Sequence, residues 1–170
     1  MAEQTRGYYD YWPTVQLERP LFIAGENDGL IRRAAFTLSS LNGWRLTLID
    51  DLLQHRCGLT AHAYRAENGR RDAEHACEQA LKSAWLKGPP SVIGLPAGWV
   101  PKRVMRRQWR RQEATLVVVE SRPKLPPEMD SDAKRALDER AVYRADAIVG
   151  LPRSPSDTLI NERILHALGL

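Results

Sequence analysis

The chain has 170 residues, of which 43% are hydrophobic and 27% charged, and this composition favours one globular domain with a sizeable core. No apolar run approaches the ~20 residues that a membrane helix needs, which excludes a membrane-spanning protein. The net charge of +4 is too small to predict nucleic-acid binding by itself. Two cysteines, Cys57 and Cys77, give no disulfide framework, and the N-terminus lacks the pattern of a secretory signal. We therefore expect a cytoplasmic protein.

The N-terminal residues 1–19 are expected to form an extension ahead of a single domain at 20–170. The extension is rich in tyrosine and tryptophan, the side chains that most often anchor interfaces. It either covers an apolar edge of its own domain or docks another chain, and the sequence leaves both possibilities open. The aromatic residues concerned are Tyr8, Tyr9, Tyr11 and Trp12.

Five short apolar segments alternate with helical patterns along the domain. Near-continuous apolar runs are typical of parallel strands that are covered on both faces. The predicted strands are Leu21–Ala24, Leu46–Ile49, Ser91–Leu95, Thr115–Val119 and Ala147–Val149. The alternation predicts a three-layer α/β/α domain with a five-stranded parallel sheet.

Three helices have clear start or stop signals. A helix over Gly29–Asn42 has apolar residues at helical spacing and is expected to stop at Gly43. A long helix is predicted from Arg70 to Leu86. The last helix is predicted to have Ser154 as its N-cap and Pro155 at its first position.

In such a fold, ligands bind beyond the carboxyl ends of the strands. Loops 24–32, 50–54, 95–100 and 120–130 are therefore expected to line any site.

The segment after the first predicted strand, AGENDGLIRRAAFTL, stands where a nucleotide-binding P-loop belongs but lacks its residues. A P-loop reads G-x-x-x-x-G-K-[ST]. Counted from Gly25, the lysine position is Ile31 and the Ser/Thr position is Arg32. Glu26 and Asp28 add negative charge where backbone N–H groups should cradle phosphate.

The following motifs resemble those of shikimate kinases in order and spacing. IDDLLQHRCGLTAHAYRAENGRRDAEHACEQAL is similar to the family's D-x-D-x-x-I-E-x-x-x-G and the G-E-x-x-F-R-x-x-E motif after it, with Gly58 and Gly69 at the family's interval of eleven. SVIGLPAGWV is similar to V-I-x-x-G-G-G-x-V, and DERAVYRADAIV resembles E-R-x-P-L-Y-x-x-x-A-D-x-x-V. The resemblance runs from about Pro20 to the C-terminus and implies the P-loop kinase fold.

Shikimate kinases transfer a phosphoryl group from ATP to a shikimate hydroxyl with the help of Mg²⁺. The resemblance places Ile31 at the phosphate-binding lysine, Arg32 at the Mg²⁺-binding Ser/Thr, and Leu48 at the first aspartate of D-x-D. Phosphoryl transfer depends on positioning and charge neutralisation, so these losses predict a rate lower by ~10³-fold or more. We therefore expect that ATP and Mg²⁺ no longer bind as cofactors.

The acceptor pocket of the family is only partly matched. Asp50 stands at the second aspartate of D-x-D, Arg140 at the arginine of E-R-x-P-L-Y, and Gly98 at one glycine of G-G-G. Glu74 stands at the arginine of G-E-x-x-F-R, a charge reversal that would repel a carboxylate. The sequence therefore predicts a residual ligand pocket that does not suit shikimate itself.

The segment PKRVMRRQWRRQ places six cations on one half of a predicted helix. Cations four residues apart repel one another, so an anionic partner would stabilise this helix, although a solvated face is the alternative. The partner could be an acidic protein surface, a phosphorylated ligand or nucleic acid. Nucleic acid ranks lowest because a single basic helix without other basic clusters offers only a small positively charged surface. The cations are Lys102, Arg103, Arg106, Arg107, Arg110 and Arg111.

Two His-x-Cys pairs, at His55 and His75, raise the possibility of a metal site. Residues two apart on a helix point away from each other, so neither pair chelates alone and no metal is predicted.

The sequence favours a catalytically inactive shikimate-kinase-like protein that works as a binding, regulatory or assembly subunit, partnered by another protein or by further copies of itself. One alternative is a small-molecule kinase of that family with an unorthodox site. A weaker alternative is a nucleic-acid-associated protein.

Overall fold

The computed structural model describes residue 17 and the ranges 19–85, 92–101, 115–121 and 145–170. Four sequence predictions fall wholly or mostly outside these residues: the aromatic N-terminal segment, the basic segment with its six cations, Arg140, and the loop over 120–130. The two described residues of that predicted loop, Glu120 and Ser121, are the last two of a strand, so the loop was predicted to begin too early.

Five parallel strands form one sheet in the order β2-β3-β1-β4-β5. This arrangement confirms the predicted five-stranded parallel sheet. Central strand β1 pairs through Phe22 with Ile93 on one side and with Leu116 on the other, and all its residues are buried, as an apolar parallel strand requires. The strands are β1 (Leu21–Gly25), β2 (Leu46–Leu48), β3 (Val92–Gly94), β4 (Thr115–Ser121) and β5 (Ala147–Leu151).

The described residues form five helices. They are α1 (Asp28–Asn42), α2 (Ile49–Cys57), α3 (Ala61–Asn68), α4 (Arg70–Trp85) and α5 (Asp157–Ala167). Helix α1 stops at Gly43 as predicted, and the φ of 68° there is the left-handed conformation that glycine adopts without strain. None of these helices is both long and apolar enough to cross a membrane.

The two faces of the sheet carry separate hydrophobic clusters, which gives the predicted three layers. Side chains alternate along β1, so Leu21 and Ile23 pack with α1 and α5 while Phe22 and Ala24 pack with α2 and α4.

Helix α2 contradicts two predictions. Ile49 was predicted to end a strand, and residues 50–54 were predicted to form a loop, but all of them are helical. The N–H-rich helix terminus favours the acidic side chains Asp50 and Asp51, which lie in its first turn. Ile49 itself is fully buried in the core, so its apolar character reflects packing of the helix.

The predicted start of α5 was also wrong. The N-cap is Ser156, whose hydroxyl accepts a hydrogen bond from the N–H of Leu159 at 3.2 Å, and Ser154 and Pro155 lie ahead of the helix. This register places Asp157 in the first helical turn, where its carboxylate also accepts a hydrogen bond from the Thr37 hydroxyl at 3.3 Å. By residue type, Ser154 and Ser156 are equally good N-caps. Only the start after Ser156 is seen together with this contact between Asp157 and α1.

Candidate functional site

A cavity of about 540 Å³ lies beyond the carboxyl ends of β1, β2 and β3. Its size falls within the range of roughly 300–1,000 Å³ that is usual for small-molecule sites, and its position is that of ligands in doubly wound sheets. The structure brings four sequence-predicted residues to its lining: Glu26, Asp28, Asp50 and Gly98. Pro96, Ala97 and Trp99 add a wall from loop 95–100, which was predicted to line a site, and the remaining walls come from α3 and α4, for which no wall was predicted.

The connection between β1 and α1 consists of only two residues, Glu26 and Asn27. Asn27 caps the helix: its side-chain oxygen accepts a hydrogen bond from the N–H of Leu30 at 3.1 Å, and its carbonyl accepts one from the N–H of Ile31 at 3.0 Å. Phosphate-binding helix termini offer such N–H groups to the anion. Here Asn27 takes up one terminal N–H, that of Leu30, whereas the Ile31 bond is the first regular bond of the helix.

Gly25 and Ile31 are held in place by packing. A Cβ atom at Gly25 would lie 2.8 Å from the carbonyl oxygen of Val119 and 3.1 Å from Cγ1 of Ile31. Ile31 is 2% exposed, belongs to the cluster on the α1 face, and does not line the large cavity. The glycine therefore has a structural reason to be there, and Ile31, which the sequence analysis aligned with the P-loop lysine, lies in the core.

Arg32 is engaged on the outer surface. Its guanidinium pairs with the carboxylate of Asp51, with 2.7 Å between Nη2 and Oδ1. The hydrogen bond that Arg32 donates to the Asp51 carboxylate raises the pKa of Arg32, which therefore stays charged. Arg32 does not line the large cavity.

Asp28 fixes the turn that follows β3. Its Oδ1 accepts a hydrogen bond from the N–H of Ala97 at 2.7 Å, and the N–H of Gly98 donates to the carbonyl of Gly25 at 2.9 Å. Within the turn Pro96–Trp99, the N–H of the fourth residue donates to the carbonyl of the first at 3.1 Å. Gly98 has a φ of 75°, which the third residue of such a turn needs. Asp28 thus has a structural role that the sequence did not reveal.

Asp50 begins α2 and faces the cavity. Its Oδ1 accepts a hydrogen bond from the N–H of Ala61 at 2.7 Å. Burial raises the pKa of the Asp50 carboxyl, the Ala61 hydrogen bond opposes that rise, and the nearby charge of Asp28 adds to it. The positive charge of Arg32 also opposes the rise, and the net effect is a raised pKa, so the charged form is less favourable in the folded protein than in the unfolded chain.

Replacing Asp50 with asparagine tests this description, since asparagine keeps an oxygen for the Ala61 N–H. A carboxyl whose pKa is raised by folding lowers stability as the pH rises from its unfolded pKa through its folded one. We expect the variant to equal wild type in strong acid, to gain relative stability through that window, and to remain slightly more stable at neutral pH. Urea unfolding at a series of pH values measures this, and a variant that is less stable at neutral pH than wild type would contradict it.

Of two charged residues on the helical walls of the cavity, the sequence analysis named Glu74 and missed Arg65. Glu74, where a charge reversal was predicted, lines the cavity and pairs with Arg70 at 3.2 Å. Arg65 on α3 is half-buried, lines the same cavity, and forms no hydrogen bond or ion pair through its side chain with the described residues. Arg65 lies between Gly58 and Gly69 at a position that no motif letter specifies, and only the packing of α3 against α4 brings it to the cavity.

The two cysteines differ in their surroundings. Cys57 is exposed, whereas Cys77 is buried and lines the cavity. Burial raises the pKa of the Cys77 thiol to about 12, so this thiol stays protonated. Within the described ranges, no three His, Cys, Asp or Glu residues are grouped in a way that could hold a metal ion.

No protein-family model matches this sequence, and the search of curated proteins gives no match. Solved structures do match. Shikimate kinase from Aquifex aeolicus superposes with a TM-score of 0.62 and 18% identity, covering 88% of this chain and 96% of that one. The chain has the fold of the P-loop kinases.

Two further structures support this fold. Shikimate kinase from Acinetobacter baumannii in complex with shikimate gives a TM-score of 0.62 at 12% identity, covering 89% of this chain and 93% of that one. A gluconokinase from Sinorhizobium meliloti gives 0.57 at 12% identity, with coverages of 91% and 94%. At these identities the likeness defines the architecture and leaves the activity open.

Proposed function

We propose that this protein is a catalytically inactive member of the shikimate-kinase-like fold that acts by binding, as a regulatory or assembly subunit. The observation that carries the proposal is the two-residue connection between β1 and α1. In a P-loop the lysine follows the first glycine by six positions, and the intervening residues wrap the phosphates. Here helix α1 begins three residues after Gly25, so most of the positions that would wrap a phosphate are helical.

Charge supports the same proposal. The cavity presents Glu26 and Asp28 beside the start of α1, while Ile31 is buried and Arg32 is paired with Asp51. Two like charges 4 Å apart repel by about 1 kcal/mol in water and by about 4 kcal/mol near a protein surface. A triphosphate would meet this repulsion without the lysine and metal that normally offset it.

One observation favours the alternative, a small-molecule kinase with an unorthodox site. The cavity next to Asp50 is large enough for an acceptor molecule, and it also presents Arg65 and Arg70. Nucleotide binding distinguishes the two functions, because any kinase must bind its phosphoryl donor.

Calorimetric titration with Mg-ATP, Mg-ADP and shikimate tests the proposal. We expect no heat of binding at ligand concentrations of about 1 mM, with an active shikimate kinase as the positive control. Micromolar affinity for either nucleotide would overturn the proposal and favour the kinase alternative.

The partner surface is proposed from sequence alone, as an acidic protein surface that contacts the six cations of the basic segment. Cross-linking and gel filtration from native lysate compare wild type with a variant carrying Arg106→Glu and Arg110→Glu. The matched control carries Arg56→Glu and Lys82→Glu, which are exposed positions on α2 and α4 with the same total charge change. We expect only the first variant to lose the partner, and equal retention by both would contradict this surface.

A further inference from the structure

We infer that the cavity binds a small zwitterion whose protonated amine contacts Glu26, Asp28 and Asp50 and whose carboxylate contacts Arg65. This inference rests on the proposed function in one respect, namely that no triphosphate occupies the cavity.

The overall charge of the cavity is the first argument. The described lining contains four carboxylates and two guanidinium groups, so it carries a net negative charge. One of these guanidinium groups, that of Arg70, already pairs with the carboxylate of Glu74. A ligand that brings positive charge therefore relieves repulsion within the lining, whereas a polyanion adds to it.

The placement of the carboxylates is the second argument. Asp28 and Asp50 each use one oxygen for a backbone N–H, of Ala97 and Ala61, at 2.7 Å in both cases. These bonds hold both carboxylates in place, and the second oxygen of each accepts no hydrogen bond from the described residues. Glu26 lines the same cavity from the β1–α1 connection. A protonated amine offers three donors from one compact charge, which suits three acceptors on neighbouring elements.

Arg65, on the α3 wall of the cavity, favours a negatively charged group on the ligand. Its half-buried side chain has no acidic partner among the described residues, and a guanidinium binds a carboxylate through two parallel hydrogen bonds. A carboxylate fits better than a phosphate, because a doubly charged phosphate would be repelled more strongly by the four acidic groups in the lining.

The rest of the lining suits a compact apolar body between the two charges. Trp99, Pro96 and Ala73 contribute apolar surface to the cavity. An aromatic face also attracts a cation within about 6 Å of the ring, which adds to the preference for an amine. The cavity therefore matches an amino-acid-like molecule.

Three probes that share one cyclohexane ring test this inference: aminomethylcyclohexane carboxylate, cyclohexylmethylamine and cyclohexanecarboxylate. Ligand-observed NMR and calorimetry should rank the zwitterion first, the amine second and the carboxylate last. We expect dissociation constants in the millimolar range and a difference of ~10-fold or more between the first and the last.

Variants in which a charged side chain is replaced by a neutral one identify the residues that contact the amine and the carboxylate of the ligand. The double variant Asp28→Asn and Asp50→Asn keeps the oxygens that the backbone N–H groups need, and it should weaken the amine and the zwitterion by ~10-fold or more. Arg65→Gln should remove only the advantage of the zwitterion over the amine. The matched control, Asp72→Asn with Glu162→Gln, removes two exposed charges outside the cavity and should change neither affinity. Thermal melting of each variant confirms that it is folded.

Three results would overturn the inference: the carboxylate binding tightest, no amine or zwitterion binding at ~10 mM, or equal weakening by the control variant. Mg-ATP is titrated into the same samples. Binding of Mg-ATP would overturn the proposed function, whereas absence of both Mg-ATP and amine binding would overturn this inference alone.

Discussion

Replacing Ile31 with lysine is expected to lower the free energy of unfolding by about 3 to 5 kcal/mol, because the core loses a well-packed aliphatic side chain and must accept a charged one in its place. In a working P-loop the lysine would face the phosphates, but Ile31 is 2% exposed and packs beneath β1. The substitution restores the lysine of the P-loop motif but does not restore a phosphate-binding site. Urea unfolding measures the loss, and calorimetry with Mg-ATP should still show no binding.

Phe36→Lys is the matched control, because it places the same residue on the outer face of the same helix. Phe36 is 62% exposed, so we expect a change within about 0.5 kcal/mol. If the Ile31→Lys protein has near-normal stability and binds nucleotide with micromolar affinity, then residue 31 is not buried as described, and the proposed function is also wrong.

Replacing Trp99 with alanine should cost about 3 to 5 kcal/mol of stability, as is usual for removing a buried aromatic side chain. Trp99 is 6% exposed, belongs to the cluster on the α2 and α4 face, and also lines the cavity. The same substitution should weaken binding of the amine probe. Urea unfolding and ligand-observed NMR measure the two effects.

Trp44→Ala provides the comparison for the Trp99 substitution. Trp44 is only partly buried and packs against the opposite cluster, so its loss should cost less and leave amine binding unchanged. If the Trp99→Ala substitution lowers the free energy of unfolding by less than about 1 kcal/mol, then Trp99 does not pack in the core as described.

The sheet was predictable because its signals are local. Each strand is a short apolar run, and α1 ends at a glycine whose left-handed conformation other residues adopt only with strain. The errors occurred where two local signals competed. Ile49 is as apolar as a strand residue and Ser154 is as good a cap as Ser156, so only contacts with the rest of the molecule separate the alternatives.

The site was less predictable, because its contacts join residues that are distant in sequence. Asp28 binds the N–H of Ala97, 69 residues away, and Asp50 binds that of Ala61. Arg65 reaches the cavity only because α3 packs against α4. The spacing of residues along a single sequence does not show which distant residues will form these hydrogen bonds.

By itself, the sequence determined the five-stranded parallel sheet, because hydrophobic patterning is a property of neighbouring residues along the chain. The alignment of Ile31 and Arg32 with the lysine and Ser/Thr of a P-loop remains a prediction from residue identity. The tertiary structure alone decided that Ile31 is buried and that the β1–α1 connection has two residues. It also decided which charges surround the cavity. Burial and electrostatic environment depend on which segments meet in space, and that is a property of the packed molecule.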